Sequence, residues 1–395
     1  MTAKVNLTDV EKNIFEAVDK NDVASLKTLL AKDQKVNIFD ENCMTPLQHA
    51  AYKGNKEIVQ ILLDQGADVN VCQHEHGYTS LHFAGLSGNA EVCHLLLLAG
   101  SKIHTLNSVG RTAAQMAAFV GNHACVAKIN NFIPKSEIDY YTVPQGLQKT
   151  AALPPFIAES FHKFVMQINI HPIRIALLLQ RYNGLSDHLT DLKTVLEQMC
   201  TREMKRGAET NEVMAFKFHY FGYIVSDIIK CKERQNSMKK EETGEEKKSD
   251  FVELFARKLL KTGKDGGLDY MDSFLKECVR EFPYRECTIF RQMVTSLASK
   301  DAPAALSVIN AAINGQRGFV DNVTMCHTCG EEKPSKKCSK CKAVQYCDRE
   351  CQRLHWFMHK KCCARLSQQD ATTEKHAAPD ASELSSQIKN LLVKN

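Results

Sequence analysis

No run of apolar residues approaches the roughly 18 needed to cross a bilayer, which excludes a membrane-spanning helix. The opening segment MTAKVNLTDVEKN carries acids and polar groups where a secretory leader needs an apolar stretch. A phosphate-cradling glycine loop, a nucleophile elbow, a kinase set and a zinc-protease helix are all missing. Tryptophan occurs once, as Trp356. These absences predict a soluble, cytoplasmic protein without an enzymatic motif. In a reducing compartment thiols stay free, so the 16 cysteines are read as metal ligands or small buried hydrophobes before disulfides. The 395 residues, 44% of them apolar, allow two to three domains with ordinary cores.

The chain repeats itself. TPLQHAAYKGNKEIVQILLDQGADVN from Thr45, TSLHFAGLSGNAEVCHLLLLAGSKI from Thr79 and TAAQMAAFVGNHACVAKIN from Thr112 align at steps of 34 and 33 residues, and IFEAVDKNDVASLKTLLAKDQKVNIFD from Ile14 aligns as a degenerate first copy. Thr45 and Thr79 are placed to cap a first helix, and Gly54, Gly88 and Gly121 to turn the chain into a second. Ile58, Val59, Leu62, Leu63, Val92, Leu95 and Leu96 supply a face that a single repeat cannot bury. The segment 10–131 resembles the ankyrin-repeat family, with about four repeats. It departs from the family where Gln48 and Gln115 replace the usual histidine and Ala113 the usual proline, so the last repeat is expected to be the least regular. The resemblance implies a protein-binding solenoid. The residues preceding the turn glycines then look over its concave face, which makes Tyr52, Leu86 and Phe119 the candidate partner-binding stripe, open to a partner or covered by the chain's own middle domain. His74, His76 and His82 are read as structural, without the cysteine or carboxylate company of a metal site.

Residues 132–155 read as a connector rich in turn formers, with a short ordered stretch around Tyr140 and Tyr141. From 156 to 316 the pattern is helical: Phe161, Val165 and Ile168, then Phe216, Tyr220 and Ile224, then Ile289, Met293 and Leu297 recur at three and four residues. Seven or eight helices are expected, with a charged loop near 232–250. His162, His171, His188 and His219 are read as surface or satisfied core residues, and no catalytic residue is assigned.

The spacing C-x2-C-x8-C-x2-C-x5-C-x3-C-x7-H-x3-C between Cys326 and Cys363 supplies eight donors, enough for two tetrahedral zinc ions in a segment too small for a core of its own. Sites saturated by protein donors have no open position for water, so both ions are structural. With Tyr346 before the fifth ligand, Gln352 after the sixth and Trp356 before the histidine, residues 326–363, within a domain set at 321–365, closely resemble the MYND zinc finger. The resemblance implies interleaved pairing. One ion goes to Cys326, Cys329, Cys347 and Cys351, the other to Cys338, Cys341, His359 and Cys363, with Cys362 the alternative last ligand. It also implies a groove for proline-containing peptides at Ser339, Gln352 and Trp356.

The fold class is therefore mostly α: an ankyrin-repeat solenoid, a helical middle domain and a small two-zinc cross-brace. Ankyrin repeats followed by a helical middle and a MYND finger resemble a family of non-enzymatic adaptors. That resemblance implies protein partners, with membrane guanylyl cyclases and other signalling proteins trafficked to cilia as clients, and a cytoplasmic, cilium-associated location. A chromatin co-regulator adaptor is the alternative. Nucleic acid is not expected as a partner: the finger's ten cations outnumber its four acids, but seven thiolates and two zinc ions take back half of that excess. The polar tail 366–395 ends in a segment that reads either as a short amphipathic helix carrying Leu384, Ile388, Leu391 and Leu392 or as a stretch disordered until bound.

Overall fold

The computed structural model describes residues 7–31, 35–146, 150–241, 250–262, 267–315 and 323–373. The tail with Leu384, Ile388, Leu391 and Leu392 lies outside them. The chain forms two units, Met1–Thr243 with Asp272–Asp321, and Gly244–Met271 with Asn322–Asn395.

The first unit begins with four helix pairs: α1 (Asp9–Asp19) and α2 (Val23–Leu30), α3 (Pro46–Lys53) and α4 (Lys56–Asp64), α5 (Ser80–Ser87) and α6 (Ala90–Leu98), α7 (Ala113–Phe119) and α8 (His123–Asn130). Local chemistry sets their ends. Thr45, Thr79 and Thr112 each close a capping box with the residue three positions on. Gly54 and Gly88 end α3 and α5 in the left-handed region, at φ 75° and 77°. Leu47, Ile58, Leu62, Leu81, Val92 and Leu96 are sealed in one core that runs through all four pairs.

Glutamine proves a working substitute for the repeat histidine. Gln48 accepts from Thr45 N at 2.8 Å and donates to Val71 O and Tyr78 O of the next repeat at 3.1 and 2.9 Å. His82 does the same one repeat on, with its Nδ1 accepting from Thr79 N and its Nε2 donating to Arg111 O. The last repeat is the least regular. Its α7 stops at Val120 rather than a glycine, and Asn122 makes no side-chain cap, donating instead to Gly85 O and Leu86 O.

The connector contains α9 (Lys135–Thr142), around the expected tyrosines. Its Glu137 takes Arg202 and Arg206 at 3.2 and 3.1 Å, and the Arg202 guanidinium covers the Tyr140 ring. The helices that follow are α10 (Ala158–Val165), α11 (Pro172–Arg181), α12 (Leu189–Met204), α13 (Glu212–Glu241), α14 (Phe251–Leu259), α15 (Asp269–Arg280), α16 (Thr288–Ala298) and α17 (Ala305–Asn314). The charged loop expected near 232–250 is corrected in its first half: α13 continues through Glu241, because the Lys, Glu, Arg and Gln of that stretch are good helix formers as well as solvated ones. The remainder, 242–249, lies outside the described residues.

The last repeat is joined to the middle helices by specific bonds. Asn130 donates to Ile313 O, His162 Nε2 to Ile133 O, and Asn131 Nδ2 to Asn314 Oδ1 at 2.7 Å. Gly315 ends α17 with φ 82°, where a Cβ would meet Val126 of α8 at 2.9 Å. The middle histidines are all engaged: His171 caps α11, His188 pairs with Asp191 and His219 donates to Cys278 O. Of the cysteines outside the finger, six are buried and Cys43 is half-buried. Cys72 is exposed, so packing does not explain it. Among the described residues, no helix is long and apolar enough to cross a membrane.

The second unit holds α14, the short antiparallel pair β1 (Lys336–Lys337) and β2 (Gln345–Tyr346), and α18 (Arg349–Thr373). Helix α14 thus leaves the middle domain to which the sequence assigned it and packs on α18.

Candidate metal centre

Two tight turns and one helix build the site. Between Cys326 and Cys329 the chain doubles back, with Cys326 N bonding Glu331 O and Gly330 N bonding Cys326 O. Between Cys338 and Cys341 it does so again, with Lys342 N on Cys338 O and Ala343 N on Cys341 O. Each turn presents its two sulfurs on one side. The partners come from Cys347, beyond β2, and from α18. Asp348 Oδ1 accepts from Cys351 N and caps that helix, whose spacing places Cys351, His359 and Cys363 along one face.

The result is two sets of four: Cys326, Cys329, Cys347 and Cys351, and Cys338, Cys341, His359 and Cys363. In each set the donor atoms all lie within 4.8 Å of one another. A tetrahedral zinc ion separates its sulfurs by about 3.8 Å, and sulfur from imidazole nitrogen by about 3.5 Å. The observed separations are 3.5 Å for Cys329–Cys347, 3.7 Å for Cys351–Cys329, 3.8 Å for Cys338–Cys363 and 3.5 Å for Cys341 Sγ to His359 Nε2. The donor chemistry fits as well as the distances. Within the first set, hydrogen bonds among the thiols pull Cys326 down and push Cys351 up, since so many thiolates cannot ionise side by side without a cation between them. Four donors per ion leave no position for water, so the metal fixes shape and performs no chemistry.

The cysteine left open by spacing is resolved by geometry. Cys363 joins the second set, while Cys362 points to the outer side of His359, donating to its carbonyl at 3.4 Å and lying 4.0 Å from its Nδ1. His327 and His355 are not in either set. His355 lies against the Tyr346 hydroxyl at 3.1 Å, and burial, with the His327 and His359 rings, lowers its pKa to about 4. Tyr346, with no exposure, forms the finger's small core with Val344 and Leu354.

The proposed peptide groove residues are accessible. Trp356 is 46% exposed with its ring edge-on to His359 at 5.9 Å, Gln352 is half-buried one helical turn earlier, and Ser339 is exposed between two metal-set cysteines. In the repeats, Tyr52 and Phe119 are 56% and 71% exposed and Leu86 is half-buried. Among the described residues, nothing buries Tyr52 or Phe119. His74, His76 and His82 gather no metal set among the described residues; His74 and His82 stack on Tyr78, His76 lies tilted against it, and His74 meets Phe83 edge-on.

Sequence reasoning missed the other side of α18. Glu253 of α14 accepts from Arg353 and Arg257, each at 2.6 Å, and the Arg257 guanidinium lies over the Phe357 ring. Arg353, Phe357 and Glu350 follow helical spacing opposite the metal donors, so α18 is held on both sides. A charge pair spanning a hundred residues leaves no local signal.

Turns, cross-brace and repeats define the class: an ankyrin-repeat protein carrying a MYND zinc finger, a combination typical of non-enzymatic protein-interaction adaptors. Residues 14–107 match the ankyrin repeats in three copies, and residues 326–363 match the MYND finger, a zinc binder. The chain is 30% identical over 384 residues to Dauer abnormal formation protein 25 of Caenorhabditis elegans, covering 95% of this chain and 96% of that one. It belongs to the family of that protein. Shorter likenesses are to human Ankyrin repeat domain-containing protein 49, 43% identical over 16% of this chain and 26% of that one, and to human Transient receptor potential cation channel subfamily A member 1, 34% identical over 29% and 10%.

Proposed function

We propose that the protein is a two-ended adaptor. Its finger, with the eight gathered donors holding two structural zinc ions, captures an extended proline-containing peptide on Trp356, Gln352 and Ser339. Its concave repeat face takes a second protein on Tyr52, Leu86 and Phe119. The observation that carries the reading is the exposure of Trp356: a finger this short of core material leaves nearly half of its one tryptophan in solvent, on a helix that the metal sets hold in place. A flat indole is a suitable wall for a polyproline-like strand, which loses little entropy on docking, and Gln352 can bond the ligand backbone. Clients among signalling proteins trafficked to cilia, membrane guanylyl cyclases included, and a cytoplasmic site of action follow from the resemblance of the whole architecture.

Trp356→Ala tests the finger. The variant should retain two zinc ions and lose peptide binding; loss of zinc would make Trp356 a packing residue, and unchanged affinity would remove the groove. Proximity labelling with the full chain, compared with Trp356→Ala and with the Tyr52, Leu86 and Phe119 triple serine variant, assigns partners to each end. Recovery of chromatin proteins in place of ciliary membrane proteins would overturn the client assignment.

A further inference from the structure

We infer that the peptide taken by the finger is acidic, with carboxylates flanking its proline; the inference rests on the groove reading above. Lys336, Lys337, Lys340, Lys342, Lys360 and Lys361 are all exposed, and among the described residues their ammonium groups enter no ion pair and no side-chain hydrogen bond. Two of the finger's four acids are engaged on α18. Asp348 caps α18, and Glu350 lies 3.9 Å from Arg353 on the α14 side of the helix.

The metal sets bring two of these lysines to the groove. Ser339 and Lys340 lie between Cys338 and Cys341, whose sulfurs meet Cys363 and His359 of α18. The loop is thereby clasped to the helix that presents Gln352, Trp356 and Lys360 at successive four-residue steps. Lys340 directly follows Ser339 on the loop, and Lys360 stands one helical turn beyond Trp356 on α18. An extended ligand that lays its proline on Trp356 sends neighbouring side chains toward those two positions.

The size of the charge selects the class of partner. With seven thiolates and two zinc ions included, the finger's net excess falls to about +3. That balances a few carboxylates. It is weak beside the run of phosphate contacts that carries nucleic-acid binding.

Trp356 fluorescence in the full chain reports the site alone, since no other tryptophan is present. Three peptides share one proline core and differ in their flanks: Asp and Glu, Asn and Gln, or Lys. A short oligothymidylate is the fourth ligand. The acidic peptide should bind at least about fivefold tighter than the neutral one at low salt, through a few exposed ion pairs, and the advantage should fade in molar salt. Lys340→Glu with Lys360→Glu, both zinc ions retained, should transfer the advantage to the Lys-flanked peptide. Equal binding of acidic and neutral peptides overturns the inference and leaves the groove standing. No fluorescence response to any peptide, with two zinc ions present, removes the groove and the inference with it. Tighter binding of the oligonucleotide than of the acidic peptide overturns the choice of partner.

Discussion

The Nζ of Lys217, on α13, donates a 2.5 Å hydrogen bond to Oδ1 of Asn131 at the end of the last repeat, and neither side chain reaches solvent. Asn131 passes the connection to Asn314, which donates to Ile168 O, so one buried chain of polar groups ties α8, α13 and α17 together. Among the described residues no carboxylate pairs with Lys217, and the Phe221 ring lies 5.3 Å from its nitrogen.

Burial alone holds the Lys217 pKa well below the ordinary lysine value. The unfolded chain therefore binds one more proton than the folded one between that depressed value and about 10.4. Stability from this group rises with pH through that window, by about 1.4 kcal/mol per unit, and is lost as pH falls. Denaturant titrations over the pH units just below about 10.4 should show the rise, and Lys217→Met should flatten it. Identical slopes would mean that the amine finds water or a counter-charge.

Removing the metal should separate the modules. The finger has little core beyond Tyr346, Val344 and Leu354, whereas the repeats are held by a continuous apolar core. Chelation is expected to release two zinc ions, red-shift Trp356 emission and leave ankyrin helicity intact, as read by circular dichroism. One ion released, or collapse of the repeats, would contradict this.

Cys362 and Cys363 should behave differently despite being neighbours. Cys363→Ser should lose the second ion, because its sulfur completes the set with Cys338, Cys341 and His359. Cys362→Ser should keep two, having lost only a weak bond to His359 O. A metal count on each purified variant decides the matter.

Gln48 and His82 do the same work, and exchange should reveal it. Gln48→Ala removes one accepted and two donated bonds from a buried position, at a cost of about 1–3 kcal/mol. Gln48→His should restore most of that stability in urea titrations. A histidine variant as unstable as the alanine one would mean the position needs the longer amide.

The repeat stripe should tolerate polar replacement. Tyr52 and Phe119 are largely exposed and only Leu86 is half-buried, so the triple serine variant should lose no more than about 2 kcal/mol. Its melting temperature relative to the parent measures this, and unfolding at room temperature would place the three side chains in the core.

What the sequence by itself determined is what short-range chemistry writes. A threonine cap, a turn glycine and an apolar face recurring every 33 or 34 residues specify a helix pair that must stack on its like. Eight cysteine and histidine donors at tight spacing require metal, and resemblance supplied the pairing that the structure reproduces. The tertiary structure alone decided the rest. In VMAFKFHYFGYIV nothing marks Lys217 as the buried member of a polar chain, because its partner Asn131 is 86 residues away. Nothing in FVELFARKL assigns α14 to the finger, since Glu253 meets Arg353 only after the chain has passed through three further helices. Periodicity states which face of a helix needs covering. It does not state what covers it, because that choice is made by packing between segments that are neighbours only in space.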